Sequence, residues 1–292
     1  MYDPKIDLSN MYKSISEFPN HVQNSFDFFD KNSSISENIS NSVNNVLILG
    51  MGGSAITGLL FKEILADKLD IPVNVNQGYT IPKWVNKSTL VIACSYSGNT
   101  EETLAGLENC KSKKTKIIGF TTGGKLYDFI KKNDDDYVLM PKGLQPRAAL
   151  GYSFTLMLIM FNKLGFINNS IIKDFQNNLD ELSKHNHIFS SQKENNISYK
   201  IAKEIHNKNP LIYAEEGIFG IIGYRFKCQL VENSKILAFN NFIPEMNHNE
   251  IEAYTKDVNI KNNFIVIWIN SDEYHHRNKK RIDIVKTIWS NK

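Results

Sequence analysis

The fold is decided by residues 46–55, which read VLILGMGGSA. Four apolar residues in a row are typical of a buried strand, the glycines indicate a tight turn, and Ala55 to Leu65 continues with apolar residues at helical spacing. Further short strands are predicted at Pro72–Val75, Leu90–Cys94, Lys116–Phe120 and Tyr137–Met140. Because helical segments separate these strands, the pattern predicts an α/β fold with a mostly parallel sheet flanked by helices on both faces.

The second half of the chain repeats this plan. A strand is predicted at Leu211–Ala214, a turn at Glu216-Gly217 and a helix at Ile218–Leu230, followed by strands at Ile236–Phe239 and Phe264–Ile269. Two similar α/β lobes are therefore expected. The predicted segments are an N-terminal helical segment over residues 1–44, a first lobe over 45–152, connecting helices over 153–205 and a second lobe over 206–292.

Composition excludes several classes of protein. The 292 residues include 34 Lys plus Arg and 31 Asp plus Glu, and a net charge of +3 argues against a strongly basic nucleic-acid binder. Three cysteines without a CxxC pair predict neither a disulfide framework nor a zinc site and fit a reducing, cytoplasmic location. The most apolar stretch, Phe154–Phe161, is too short to span a membrane, and no secretory signal is recognisable at the N-terminus.

The first glycine-bearing turn, Gly50–Ala55, fits a loose GxGxxA dinucleotide pattern. Nicotinamide binding also needs an acidic residue after the second strand, but Val73–Gln77 reads VNVNQ. A tight strand-to-helix turn is therefore the favoured interpretation, and nicotinamide binding is not expected. Gly52 and Gly53 still allow a ligand to approach the backbone closely, and Ser54 offers a hydroxyl group.

A second turn has the composition of an anion site. Ser95, Ser97 and Thr100 surround Gly98 at the start of a predicted helix, so hydroxyls, backbone N–H groups and the positive end of the helix dipole converge there. A plain helix N-cap is the alternative, but one hydroxyl suffices for a cap. Three hydroxyls with a glycine favour phosphate, provided that the carboxylates of the following residues 101 and 102 point away from it.

Five motifs together resemble a known family. Residues 95–103, SYSGNTEET, resemble the phosphosugar-binding loop of sugar isomerase (SIS) domains, and Gly50–Ala55 is similar to their first loop. Pro146–Gly151, Glu232–Lys235 and Pro244–Glu250 resemble signatures of the bifunctional phosphoglucose/phosphomannose isomerases of archaea and some bacteria. The resemblance implies two SIS lobes, a homodimer with shared active sites, and isomerisation of glucose 6-phosphate and mannose 6-phosphate to and from fructose 6-phosphate through an enediol, without a cofactor or a metal.

The resemblance also implies roles for individual residues. Glu232 would be the base that moves a proton between C1 and C2, Arg147 would stabilise the enediolate, and His248, from the partner subunit, would exchange protons during ring opening. The substrate-binding set would be Gly52, Gly53, Ser54, Ser95, Ser97 and Thr100. Taken alone, an Arg or a Glu in a sequence is more often a solvated surface charge.

One departure from the family concerns the C-terminal end. The family has a further catalytic Lys in a helix near its C-terminus, and neither Lys286 nor Lys292 has the matching context. The second lobe is therefore expected to be incomplete, with altered activity possible, and a non-catalytic phosphosugar-binding module is the alternative function. The adjacent pair His275-His276 does not predict a metal site, and Asp134–Asp136 is expected to be a solvated loop tip.

Overall fold

A computed structural model of the chain describes residues 3–191, 193, 195–255 and 263–290. The chain divides into two compact units, Tyr2–Gln192 and Lys193–Lys292. The four segments expected from the sequence stay a prediction.

The first unit contains a six-stranded sheet. Its strands are β1 (Ser33–Ser34), β2 (Asn45–Leu49), β3 (Val73–Asn76), β4 (Thr89–Ser95), β5 (Lys116–Thr121) and β6 (Asp136–Leu139). Its helices are α1 (Met11–Ser16), α2 (Phe18–Phe29), α3 (Gly52–Ile64), α4 (Glu101–Ser112), α5 (Gly124–Asn133), α6 (Leu150–Lys163), α7 (Asn169–Asn177) and α8 (Leu179–Ser190). The strand order is β1-β6-β5-β4-β2-β3, and every neighbouring pair is parallel except β1 with β6.

The core of the first unit lies on both faces of this sheet. Strand β4 is buried along its whole length, and its alternate side chains enter opposite cores. Ile92 packs on the side of α2, α3 and α6, whereas Val91 packs on the side of α4 and α5. Burial on both faces explains why the strand reads as an uninterrupted apolar run.

The second unit contains a smaller parallel sheet. Its elements are α9 (Ile197–Ile205), β7 (Asn209–Glu215), α10 (Ile218–Gln229), β8 (Phe239–Ile243), β9 (Phe264–Trp268) and α11 (His276–Ser290). The strand order in the described residues is β8-β7-β9. Ile212 of β7 packs with Ile205 of α9 on one face, and Tyr213 packs with Val285 of α11 on the other. The predicted architecture of two lobes, each a mostly parallel sheet flanked by helices, is confirmed.

Two local predictions were wrong. The strand expected at Ile236–Phe239 pairs with β7 only from Phe239 onward, because the chain leaves α10 through Lys235 in a left-handed conformation and residues 236–238 complete the turn into the core. Asp136 is not part of a solvated tip. Its side chain is buried at the start of β6 and accepts hydrogen bonds from the backbone N–H and the hydroxyl of Ser36.

None of the helices within the described ranges is long and apolar enough to cross a membrane.

Candidate active site

The sequence motifs of the first unit meet at one end of its sheet. Strands β3 and β4 lie on opposite sides of β2, so the strand order reverses between β2 and β4. In open α/β sheets, the carboxyl ends of the strands at such a point form the ligand crevice. The two ends are in close contact here, because a methyl group added to Gly50 would lie 3.2 Å from the Cys94 carbonyl oxygen.

The first turn places Arg147 beside the start of α3. Gly52 has a φ of +50°, which favours glycine, and a methyl group on Gly53 would lie 2.9 Å from the carbonyl oxygen of Pro146 and 3.5 Å from Cα of Arg147. Pro146–Ala148 forms a short 3-10 helix, and Arg147 is half-buried. Gly53 therefore lets residues 146–147 approach the helix start, while Gly52 provides the left-handed backbone of the turn.

Ser54, also in the first turn, reaches the end of β4. Burial raises the pKa of the Cys94 thiol to about 12, and a hydrogen bond with the Ser54 side chain acts in the opposite direction. Cys94 is therefore a neutral thiol beneath the site, and Ser54 is half-buried at its rim.

The three hydroxyls of the second turn have different environments. The Ser95 side chain is 1% exposed, its Oγ accepts a hydrogen bond from the Gly98 N–H at 3.1 Å, and it lies 2.8 Å from Thr100 Oγ1. Ser97 is exposed, and its Oγ accepts a hydrogen bond from the Asn99 N–H at 3.2 Å. Ser95 and Thr100 thus shape the turn, while Ser97 faces solvent.

The start of α4 fits an anion better than a plain cap. Thr100 occupies the N-cap position, but its side chain makes no capping hydrogen bond with the helix and instead contacts Ser95. The first N–H groups of α4 therefore keep their donors available to a ligand, and the positive end of the helix dipole adds to their attraction for an anion.

The carboxylates of Glu101 and Glu102 act electrostatically on Tyr79. Both raise the pKa of Tyr79, with Glu101 having the larger effect. Tyr79 lies alongside α4, where its carbonyl oxygen is 3.4 Å from the Asn109 side-chain amide. The two carboxylates therefore act on Tyr79 as well as on the start of α4, to which they add negative charge.

A third turn, Thr121–Gly124, was not predicted from the sequence. A methyl group on Gly98 would lie only 1.8 Å from the Gly123 carbonyl oxygen, so the second and third turns are interlocked. The Thr122 N–H also donates to the Tyr96 carbonyl oxygen at 3.1 Å. The signal that could have revealed this turn is the Thr-Thr-Gly-Gly string after β5, which matches the position of the second turn after β4.

Glu232 lies in the second unit on an irregular helix end. Residues Leu230–Ser234 form a π-helical turn after α10, a feature that is frequent at functional sites. Lys235 closes the turn by donating from Nζ to the Glu232 carbonyl oxygen at 2.5 Å. Burial lowers the pKa of Arg225, and the carboxylate of Glu232 acts in the opposite direction, so these two side chains are neighbours.

His248 lies in the same unit at the end of the 3-10 helix Glu245–His248, which follows β8, and its side chain is exposed. Met246 anchors this helix in the core. Gly52, Gly53, Ser54, Ser95, Ser97, Thr100 and Arg147 are brought together in the first unit, whereas Glu232 and His248 lie on separate elements of the second unit. Among the residues that the structure describes, no group of three or more His, Cys, Asp or Glu side chains could hold a metal ion.

Comparisons with known proteins agree with this geometry. The SIS domain profile matches residues 39–165, and the profile of the bacterial phospho-glucose isomerase C-terminal SIS domain matches residues 194–292. The C-terminal domain of glucosamine-fructose-6-phosphate aminotransferase from Francisella tularensis superposes with a TM-score of 0.75 at 17% identity, covering 96% of this chain and 81% of that chain. Tagatose-6-phosphate ketose/aldose isomerase from Escherichia coli gives a TM-score of 0.64 at 15% identity, covering 94% and 75%. The fold and the site thus define an SIS-domain protein.

Sequence relatives narrow the class to a family. A bifunctional phosphoglucose/phosphomannose isomerase from Caldicellulosiruptor bescii is 40% identical over 95% of this chain and 82% of its own length. A protein of the same description from Thermoplasma volcanium is 37% identical over 84% and 74%. A D-glucosamine-6-phosphate 4-epimerase from Sulfolobus acidocaldarius is 34% identical over 78% and 69%. The chain belongs to the bifunctional phosphoglucose/phosphomannose isomerase family, which confirms the resemblance seen in the sequence.

Proposed function

We propose that the protein is an aldose-ketose isomerase that interconverts glucose 6-phosphate, and also mannose 6-phosphate, with fructose 6-phosphate. The observation that carries this proposal is the crevice of the first unit. There the start of α4 has no side-chain cap and Ser97 is exposed, and the neighbouring turn at Gly53 contacts Pro146 and Arg147. Membership of the isomerase family supports the reaction type.

The phosphate group of the substrate binds at the start of α4 in this proposal. Its oxygens accept hydrogen bonds from the first N–H groups of the helix and from the Ser97 hydroxyl, while Ser95 and Thr100 fix the conformation of the turn. Gly52, Gly53 and Ser54 bring the neighbouring turn close to the sugar. Each hydrogen bond to a charged group contributes roughly 1.5 to 3 kcal/mol.

Glu232 is the base of the proposed chemistry. Its carboxylate removes the proton from C2 of the open-chain aldose and returns it to C1, while the hydroxyl proton of O2 moves to O1, which converts the aldehyde into the ketose through an enediol. Arg147 stabilises the negative charge that develops on the enediolate oxygen. Lys235, which donates to the Glu232 carbonyl oxygen, closes the π-helical turn that carries Glu232.

His248 completes the proposed mechanism by exchanging protons with the sugar ring oxygen and the C1 hydroxyl during ring opening. We place His248 in the site of the partner copy of a cytoplasmic homodimer. Its exposed position at the end of a 3-10 helix is compatible with contact to a second chain. A binding-only module would have no use for either Glu232 or His248 as a proton-transfer group.

A coupled assay tests the proposal. The purified chain is given fructose 6-phosphate, and the formation of glucose 6-phosphate and mannose 6-phosphate is followed separately; glucosamine 6-phosphate is offered in parallel, because a relative carries a 4-epimerase name. The proposal predicts formation of both aldose phosphates. Binding of fructose 6-phosphate without turnover would favour the phosphosugar-binding module, and epimerisation of glucosamine 6-phosphate alone would replace the proposed reaction.

A further inference from the structure

Residues 141–144, between β6 and Arg147, are hydrogen-bonded to the proposed phosphate turn through the side chain of Tyr96. The hydroxyl of Tyr96, which lies inside the Ser95–Thr100 turn, donates to the Pro141 carbonyl oxygen at 2.7 Å and accepts from the Leu144 N–H at 3.0 Å. Gly143, between them, has a φ of +98°. The short segment that carries Lys142 is therefore held at both ends by a residue of the phosphate turn.

The ammonium group of Lys142 lies over the third turn. A methyl group on Gly123 would be 3.8 Å from Nζ of Lys142 and 4.0 Å from its Cε. The carbonyl oxygen of the same Gly123 presses against Gly98 of the phosphate turn. Lys142 is thus placed next to the two interlocked turns.

Lys142 is exposed and makes no hydrogen bond or ion pair with any residue in the described part of the chain. Lysines on a protein surface often have no partner, but the ammonium group of this one lies beside Gly123, whose carbonyl oxygen contacts the Ser95–Thr100 turn. The stem of four methylene groups lets the ammonium group move by several ångströms without disturbing the backbone.

The local charge balance calls for a cation. A sugar phosphate carries close to two negative charges at neutral pH, whereas Ser97, Thr100 and the N–H groups of α4 are neutral. Glu101 and Glu102 add two negative charges to the first turn of the same helix. Arg147, the other cation of the crevice, is assigned to the enediolate, so neutral groups at the start of α4 would have to hold the phosphate against this repulsion.

We propose that Lys142 is a substrate-binding residue that pairs with the phosphate group of the sugar phosphate at the Ser95–Thr100 turn. The inference rests on the proposed function, because it concerns the same site. The Lys142 side chain would add a mobile positive charge to a phosphate loop that otherwise consists of hydroxyls and amides. Its role is in affinity for the phosphate group and not in proton transfer.

Direct binding of fructose 6-phosphate, measured by calorimetry, tests the inference. The proteins are the wild type, Lys142→Gln, Lys142→Arg and Lys132→Gln, where Lys132 is an exposed lysine at the opposite end of α5. Each is measured at ionic strengths of about 0.02 M and about 0.5 M, since salt screens an exposed ion pair. Thermal unfolding of each variant verifies the fold.

Lys142→Gln is expected to weaken binding roughly 3- to 10-fold at low salt, a range reduced from that of a buried pair because the lysine is exposed. The difference should shrink at high salt. Lys142→Arg should retain most of the affinity, and Lys132→Gln should bind like the wild type. A purely structural role for Lys142 would not produce this dependence on charge and salt.

The outcomes separate the inference from the proposed function. Wild-type affinity in Lys142→Gln, with clear binding by the wild type, would overturn the role of Lys142 and leave the isomerase proposal intact. An equal loss in Lys142→Gln and Lys132→Gln would indicate a general field effect and would also overturn it. Absence of fructose 6-phosphate binding in the wild type would overturn both proposals.

Discussion

At the scale of single residues, the hydroxyls of the phosphate turn divide into two kinds. The sequence predicts Ser95, Ser97 and Thr100 as one set, because all three flank Gly98. Packing separates them, since Ser95 is buried and bonded to Thr100 while Ser97 is exposed. A single sequence could not predict this difference, because it depends on which strand and helix cover the turn.

Alanine substitution should therefore affect ligand binding at Ser97 and folding stability at Ser95. Ser97→Ala should weaken binding of fructose 6-phosphate by roughly 10-fold or more, the loss of one hydrogen bond to a charged group, with little change in stability. Ser95→Ala should lower the free energy of unfolding by about 1 kcal/mol, because the Thr100 hydroxyl and the Gly98 N–H lose the Ser95 hydroxyl while the Gly98 N–H keeps the Ser95 carbonyl oxygen. Calorimetric binding and urea unfolding measure the two effects, and undiminished affinity in Ser97→Ala would contradict the assignment.

Glu232→Gln tests the proposed base. The amide keeps the size of the side chain but cannot accept the C2 proton, so turnover should fall by roughly 10² to 10⁴ while affinity for fructose 6-phosphate stays near that of the wild type. Glu204→Gln, at an exposed carboxylate on α9, is the matched control. Near wild-type turnover in Glu232→Gln would remove this residue from the mechanism.

His21 makes the stability of the first unit depend on pH. Its side chain is 5% exposed and stacks on Tyr152 with 4.9 Å between ring centroids. Burial lowers the pKa of His21, and Glu17 acts weakly in the opposite direction. Because the unfolded chain then binds the proton more readily, stability should decline as the pH falls from 6.5 through the lower pKa of the folded state.

We expect His21→Phe, which keeps an aromatic ring against Tyr152, to show a smaller decline than the wild type below pH 6.5. Melting temperatures measured at a series of pH values provide the comparison, and the difference between the two proteins isolates the histidine from the carboxylates. Parallel melting curves for the two proteins over this range would show that His21 is not the titrating group.

At the scale of elements, strands buried on both faces were the easiest to predict. Strand β4 is buried throughout and apolar from Leu90 to Cys94 because both of its faces are covered, and its predicted position is confirmed. The start of β8 was predicted too early because Ile236 gives the same apolar signal as a strand residue. Its side chain packs against the core cluster that contains Leu230, but its backbone is not part of the sheet. The two-residue strand β1 was missed, since two serines give no apolar signal.

Gly98 and Gly52 are required for different physical reasons, a close contact between turns at Gly98 and a left-handed backbone at Gly52. Gly98→Ala would place a methyl group 1.8 Å from the Gly123 carbonyl oxygen at a φ of +71°, so the backbone of one turn must move. Gly52→Ala, at a φ of +50°, meets no atom of the described residues within 4 Å and should cost about 1–2 kcal/mol from backbone strain alone. Urea unfolding should therefore show a clearly larger loss for Gly98→Ala, and equal losses would contradict the interlocking.

At the scale of the whole molecule, the sequence predicts the residue types of the site better than their arrangement. The glycines and hydroxyls of the first unit follow strands that end side by side, so elementary rules for parallel sheets bring them together. Glu232 and His248 carry no such signal and were assigned by resemblance to the family alone. The 40% identity to an isomerase over most of both chains supports membership of the family, and the roles of Glu232 and His248 stay a proposal.

The proposed shared site of a homodimer predicts complementation between inactive chains. Glu232→Ala and His248→Ala proteins should each be nearly inactive, yet a mixture that forms heterodimers should regain part of the activity, because one site of each heterodimer then contains both intact residues. The measurement is fructose 6-phosphate turnover after subunit exchange has been demonstrated independently. No recovery in such exchanged dimers would contradict a site that takes His248 from the partner.

Turnover of fructose 6-phosphate in deuterated water tests the central proposal most directly. A base that moves a carbon-bound proton through an enediol can exchange that proton with solvent, so glucose 6-phosphate and mannose 6-phosphate should form and carry deuterium at C2, and both signals should vanish in Glu232→Gln. Nuclear magnetic resonance of the recovered aldose phosphates gives the answer. Fructose 6-phosphate that binds to the wild-type protein but yields no aldose phosphate, or yields one without deuterium at C2, would contradict the proposed enediol isomerase.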